Sequence, residues 1–265
     1  MENQRMTVIV SSCDKYSDVW ADFFACKERN WPDCPYETVL VTNDLQPAGY
    51  RTKVLACGQV DWSTRMRLAL ESVDTKYVCF LMEDFLLCEK VDTRQITNLL
   101  DLMDADCLKY CKLCEVGVIA TPYYKDYPYL RQIPENLRYG VSLMAAIWDR
   151  ELFLEKLGDG DYNPWKFEAD RNAEALNATQ EVIGIYDERD ILHICQLVVQ
   201  GKIMPSAVRK LRKKGYAVQD TERPRLSAKE SAAYYLRIYM ARLSKKLPFI
   251  KKLARKLGYR GIGEN

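Results

Sequence analysis

The sequence predicts an α/β fold, a mixed central sheet flanked by helices, and three observations carry the prediction. Short apolar runs of strand length alternate with segments of helical periodicity over residues 6–157. The run Tyr77-Val78-Cys79-Phe80-Leu81-Met82 is apolar throughout, as in a strand covered on both faces, and it delivers two adjacent carboxylates, Glu83 and Asp84. A second run, Met6-Thr7-Val8-Ile9-Val10, empties into the polar stretch Ser11-Ser12-Cys13-Asp14. Functional groups in such sheets collect beyond the carboxyl ends of the strands. Carboxylates placed there are natural ligands for a divalent cation, which could neutralise a diphosphate, although the same pair would also serve to end a core strand in water.

The elements follow in order. Large apolar groups recur at helical spacing over 16–27, and Trp31-Pro32-Asp33-Cys34-Pro35 stops that helix. Residues 37–42 read as the next strand and 51–56 as another, with a turn near Gly58 and a helix over 63–72 before the central strand. A helix is predicted over 93–103. Gly117-Val118-Ile119-Ala120-Thr121 reads as a strand leading into an aromatic loop over 122–129, and 141–148 as a further strand. Asp149 is placed as the N-cap of a short helix that Gly158 ends.

With 265 residues and 48% hydrophobic content, the chain can fill a substantial core as one large domain or two small ones. The N-terminus passes from Met1-Glu2-Asn3-Gln4-Arg5 into a strand without a long apolar segment, and no window approaches a membrane span; a cytoplasmic protein is expected. The ten cysteines are read mostly as buried thiols rather than as a disulfide framework. Cys107, Cys111 and Cys114 would need Cys88 or His193 to complete a zinc site, and the preferred reading puts them on a helix or loop near the surface. Charge is uneven: the whole chain carries +2, yet residues 1–201 carry −12 and residues 202–265 carry +14. An acidic body that makes its own small cationic site or recruits a metal, and a basic tail that meets an anionic surface, fit that asymmetry.

Four pieces, taken in order, resemble a nucleotide-sugar-dependent glycosyltransferase of the GT-A type, especially bacterial enzymes that build surface polysaccharides. They are Val8 to Asp14, Trp62-Ser63-Thr64-Arg65-Met66-Arg67, Phe80 to Asp84, and Asn163-Pro164-Trp165-Lys166-Phe167-Glu168. The resemblance spans about residues 6–205 and implies a GT-A-like, Rossmann-related sheet, with a donor half up to about 115 and an acceptor half over 116–205. It implies that Ser11, Ser12 and Asp14 hold base and ribose, and that Arg65 or Arg67 steadies the donor phosphates; a guanidinium offers phosphate a planar fork. The usual metal motif of that fold is Asp-x-Asp. Here it is Glu83-Asp84, whose neighbouring side chains share an ion only if the backbone bends, so Asp84 is the better single ligand for Mn2+ or Mg2+.

The resemblance also implies a base for the acceptor hydroxyl. Glu168, behind Pro164 and Trp165, is the first candidate and implies inversion, with Asp170 and Asp161 as rivals. His193 is a candidate further metal ligand or a satisfied buried imidazole, and Lys202 a candidate phosphate contact. The implied partners are a nucleoside-diphosphate sugar and a saccharide or lipid-linked acceptor.

Residues 206–265 read as a basic helical tail. Apolar groups recur at helical spacing over 234–247 and 249–257, with lysines and arginines on the other faces and a break at Pro248. This suits an anionic membrane surface, or a helix packed on the body with a solvated basic face. Two other functions compete. One is metal-dependent nucleotidyl transfer. The other is nucleic-acid binding through the tail, which the acidic body and the lack of a reading-helix motif disfavour.

Overall fold

The computed structural model describes residues 5–115 and 119–246. Its centre is a nine-stranded mixed sheet, flanked by helices as the sequence predicts. The first half runs β1 (Met6–Ser11), α1 (Ser17–Asn30), β2 (Thr38–Thr42), β3 (Lys53–Ala56), α2 (Trp62–Glu71), β4 (Tyr77–Met82), β5 (Phe85–Leu87) and α3 (Thr93–Ala105). There follow β6 (Tyr110–Lys112), β7 (Tyr123–Tyr124), β8 (Tyr127–Pro134), β9 (Ala146–Asp149), α4 (Arg150–Leu157), α5 (Pro164–Glu174) and β10 (Val182–Asp187). The last described elements are β11 (Ile194–Gln196), β12 (Val198–Val199), β13 (Lys202–Ile203), α6 (Pro205–Lys213) and α7 (Ala228–Lys246).

The strand order is β3-β2-β1-β4-β9-β6-β10-β8-β7. Strands β3, β2, β1 and β4 are parallel, while β9 runs against both β4 and β6, so β6 and β10 point the same way as β4. The carboxyl ends of β1, β4, β6 and β10 therefore share one edge. Alternate residues of each strand enter opposite layers, which is why whole runs are apolar. Val8, Val10, Cys79 and Leu81 pack with α1 and α3, whereas Ile9, Val78 and Phe80 pack with α2, α4 and Phe167 of α5. In the second layer Trp148 stacks on Phe153 with centroids 4.3 Å apart. Fully burying an aromatic of that size stabilises the fold by about 1.5–3 kcal/mol.

Most expected elements are present within a few residues, and Asp149 caps α4 by accepting from the Leu152 N–H at 3.0 Å. Four expectations are corrected. The aromatic stretch is a hairpin, β7–β8, turned at Lys125 with φ 49°, because its tyrosines pack on the sheet rather than projecting as a loop. Of the strand expected over 117–121, residues 117 and 118 lie outside the described residues, and 119–121 are not extended into a strand. The strand expected over 141–148 is confined to β9. Cys111 and Cys114 are buried, Cys111 on an inner strand between β9 and β10, because strand pairing rather than helical periodicity governs this segment; Cys107 alone of the three is exposed. All ten cysteines are free thiols, most of them buried.

The basic segment begins as part of the body. Ala207, Val208 and Leu211 of α6 are buried with Val19, Cys26 and the small β5–β11 sheet, while Arg209, Lys210 and Arg212 face outward. Helix α7 opens with a capping box: Ser227 and Glu230 exchange bonds between side chain and backbone N–H at 2.8 and 3.2 Å. The second helix expected over 249–257 lies outside the described residues. Among the described residues no helix is long and apolar enough to cross a membrane.

Candidate active site

Glu83 and Asp84 form a two-residue turn between β4 and β5, which supplies the bend that adjacent carboxylates need to serve one centre. The turn is sharp because β4 stays in the main sheet while β5 leaves it to pair with β11, setting Gln196 opposite Phe85. Both carboxyl groups are buried. Asp84 Oδ2 accepts from Gln196 Nε2 at 3.4 Å, and the Asp84 carbonyl accepts from the Leu197 N–H at 2.9 Å. Asp84 Oδ1 is buried without any partner. An orphaned buried acceptor is costly, and its persistence calls for a ligand or a proton.

Burial pushes the Asp84 carboxyl up to about 7, against the pull of Gln196, backbone donors and the Arg223 charge. Glu83 is raised as well, first by burial and then by the Asp84 charge, while Arg223 and the Ser12 hydroxyl act the other way. Two carboxyl groups that resist ionisation side by side are a ready receptor for positive charge.

The β1 end forms one wall of this centre. Trp62 Nε1 donates to Ser11 Oγ at 3.0 Å and Trp20 Nε1 to Ser12 Oγ at 2.7 Å, so indoles from α2 and α1 fix both hydroxyls. The half-buried Cys13 thiol is raised by burial and then by the Glu83 charge, with Arg65 opposing. Arg65 thus acts at the β1 end; its Nη1 donates to the Val60 carbonyl and its Nε is buried without a partner. Asp14 accepts from the backbone N–H groups of Asn43, Asp44 and Leu45, bracing the β1 loop against the β2 loop.

Arg223 is the residue that sequence reasoning missed. It lies over the Tyr16 ring at 4.3 Å, pairs with Asp18 at 2.6 and 3.0 Å, and donates to the Lys15 carbonyl at 2.6 Å. Its charge reaches both site carboxyls. In the sequence it is one of many basic residues after position 202, and nothing in its spacing marks it. Gln196 was missed too, although a lone amide inside Ile194-Cys195-Gln196-Leu197-Val198 was a legible signal.

Other nominated residues stand elsewhere. The β5–β11 register puts His193 beside Cys88, whose N–H it accepts at 3.1 Å, roughly 13 Å along the ladder from Asp84. There its Nδ1 lies near Asp190 and Glu89. Arg67 donates to the Gly160 carbonyl at 2.9 Å, bracing α2 against the loop before α5. Lys202, on the β12–β13 hairpin whose Gln200 and Gly201 both have positive φ, is paired with Glu230 at 2.5 Å. Asp170 pairs with Lys166 at 2.8 Å on the outside of α5, and Asp161 accepts from Thr64 at 2.6 Å. Glu168 is half-buried. Asn163 caps α5 and Pro164 starts it, and the helix aims Glu168 at the Leu143 N–H, from which Oε1 accepts at 2.8 Å. Burial raises the Glu168 carboxyl; the Leu143 N–H and Lys112 lower it and Glu115 raises it.

A cavity of 600 Å³ opens on this edge of the sheet. Phe85, Glu115, Met144, Gln196 and Tyr234 line it, so it touches the Asp84 partner on one side and the neighbours of Glu168 on the other. Tyr234 Oη donates to Gln196 Oε1 at 3.2 Å, which makes α7 one wall.

No family model matches the chain, and no curated protein matches it. Solved structures do. The bifunctional IspDF of Campylobacter jejuni is 11% identical with a TM-score of 0.42, over 72% of this chain and 52% of its own. TarS of S. aureus is 13% identical with a TM-score of 0.45, over 70% of this chain and 35% of its own. The 2-C-methyl-D-erythritol 4-phosphate cytidylyltransferase of Thermus thermophilus is 12% identical with a TM-score of 0.45, over 79% and 98%. The chain thus spans about half of the first and a third of the second. Likenesses this remote decide nothing about its activity or substrate.

Proposed function

We propose that this chain is a nucleotide-dependent transferase that moves a sugar from a nucleoside-diphosphate sugar to a hydroxyl of a saccharide or lipid-linked acceptor. The observation that carries the reading is the buried Glu83-Asp84 turn at the carboxyl edge of the sheet, with one Asp84 oxygen unpartnered and Arg223 close by. The donor set fits a hard cation, Mn2+ or Mg2+, which takes one or two carboxylates and fills its shell with phosphate oxygens and water. Among the described residues no group of three or more His, Cys, Asp or Glu side chains is placed to hold a metal, so Asp84 and Glu83 would be its protein ligands. Such an ion would supply charge neutralisation for a leaving diphosphate.

The remaining roles fall to the chain's own residues. Arg223 and Arg65 supply positive charge beside the carboxylates, and Ser11, Ser12 and the Asp14-braced loop shape the ground for base and ribose. Arg67 and Lys202 reach phosphate only by giving up their present partners. Glu168 takes the acceptor proton: burial raises its proton affinity, whereas Asp170 is neutralised by Lys166 on the solvent side. Attack of that hydroxyl opposite the departing diphosphate gives inversion. The cavity bordered by Tyr234 receives the acceptor, and Leu236 and Tyr239, exposed on the basic α7, suit contact with an anionic lipid surface on the cytoplasmic side, in bacterial surface-polysaccharide synthesis.

Nucleotidyl transfer from a triphosphate is the competing reaction. A triphosphate is best held by a glycine-rich cradle of N–H groups, and residues 11–16 contain no glycine. The deciding experiment is binding of the purified protein to nucleoside diphosphates and nucleotide sugars with and without Mn2+ or Mg2+. Selective, cation-enhanced binding lost on Asp84→Ala supports the reading. Turnover of a nucleoside triphosphate with pyrophosphate release would replace it with nucleotidyl transfer, and a salt-sensitive interaction with oligonucleotides alone would overturn both.

A further inference from the structure

A second cavity, 460 Å³ in volume, lies at the opposite edge of the sheet. It is bounded by the first residues of β2 and β3, Thr38 and Lys53, and by the last turns of α1. The five residues of β2 separate it from the β1–β4 carboxyl edge by roughly 15 Å. Lys27 lines it. The residue is 7% exposed, and its ammonium, which opens to the solvent of the cavity, has no hydrogen-bond or ion-pair partner among the described residues. A lysine covered to this extent usually meets a counter-charge, and here the ammonium can meet one only through the cavity.

The other charged groups facing the cavity do not supply it. Glu37 is taken by Lys53 at 2.7 Å, which leaves Glu28 at the rim against Lys27 and Arg51. The Arg51 guanidinium makes one long bond, 3.4 Å, to the Pro32 carbonyl. The walls are aromatic: Phe24, stacked on Tyr50 at 4.5 Å, then Trp31 and Tyr36. Burial pushes the Lys27 ammonium down from its ordinary range, and a bound anion would reverse that push.

We propose that this cavity is a second ligand site, separate from the carboxylate centre, for a small organic anion that sets a carboxylate or phosphate against Lys27 and Arg51 and an aromatic body against Phe24 and Tyr36. A planar fork such as Arg51 and an unpaired ammonium favour the anionic head, and the rings favour the body.

Thermal melts of the whole chain at constant ionic strength test the site, with benzoate, phenyl phosphate and inorganic phosphate as probes. A saturable rise in Tm is expected with one or both aromatic anions, and a weaker one with inorganic phosphate; which of the two is stronger identifies the head group. Lys27→Met keeps the length of the side chain and removes its charge, so it should fold, and it should weaken the aromatic anion by about tenfold or more. Arg51→Ala, at the exposed rim, should weaken it in the same direction. Nucleotide binding at Asp84 should be unchanged in both, so the two sites fail independently. Absence of a saturable shift with all three probes, or an equal shift in both variants, overturns the site. Inorganic phosphate binding as tightly as the aromatic anions overturns the aromatic body.

Discussion

The two ends of β4 hold carboxylates in opposite conditions. At the amino end, Asp104 of α3 receives Lys76 Nζ at 2.5 Å, Arg5 Nη2 at 2.6 Å and the Tyr77 hydroxyl at 2.9 Å. Burial there works to raise its carboxyl, but the bonds from Lys76, Tyr77 and Arg5 prevail and hold it at about 2. At the carboxyl end, Asp84 has one amide at 3.4 Å and an oxygen with no partner; burial holds its carboxyl up at about 7 against Gln196, backbone donors and the Arg223 charge. One carboxylate is complete within the chain and the other is complete only with something added. Saturation suits a brace, and an unpartnered oxygen suits the cation site proposed above.

The contrast breaks most visibly at Asp84. Asp84→Asn should lower cation-dependent donor binding or transfer by about 10²–10³-fold, as removal of a preorganised electrostatic group does, while Tm holds or rises. A loss of Tm without loss of binding would make the turn a mere strand end. Glu168→Gln should reduce turnover by about 10²-fold or more with donor binding retained, measured as kcat against donor Kd; loss of both together would assign it to structure. Arg223→Ala should weaken nucleotide affinity by about tenfold, read by titration calorimetry with and without salt. Asp104→Ala is the mirror image: about 1 kcal/mol less stability in urea, because its partners are partly exposed, and unchanged nucleotide binding.

The smallest effect is in the pH dependence, where the two ends have opposite signs. Asp104 is depressed, so its contribution is present above its unfolded value near 3.8 and is lost as pH falls through about 2. Asp84 is raised, so the folded state binds its proton more tightly; that contribution is complete below 3.8 and disappears as pH rises through about 7. Mg2+ should therefore raise Tm more at pH 8 than at pH 5, since it replaces a proton already lost. Equal shifts at both pH values would remove Asp84 from the cation site.

Much of the first half was legible. β4 spans the six residues its apolar run outlines, and the Trp31-Pro32 stop and the Asp149 cap fall where local chemistry puts them. Legibility failed where pairing outweighed local pattern. Tyr110-Cys111-Lys112 reads as surface, but β9 and β10 bury it, and fully buried Lys112 is satisfied by Glu115 at 2.8 Å and the Tyr139 carbonyl at 2.7 Å. Gly184 sits opposite Tyr110 so closely that a Cβ would strike the Tyr110 carbonyl, a requirement invisible without the neighbouring strand.

The sequence by itself determined the runs, the stops and the carboxylate pair at the end of β4, because backbone sterics and burial periodicity act over a few residues. Only the tertiary structure decided who meets that pair. Gln196 arrives by antiparallel pairing, and Arg223 is brought back across 139 residues to Tyr16 and Asp18, where its charge reaches Asp84, while the same register carries His193 away. Charge interactions depend on distance in space, and the fold sets that distance without regard to separation along the chain.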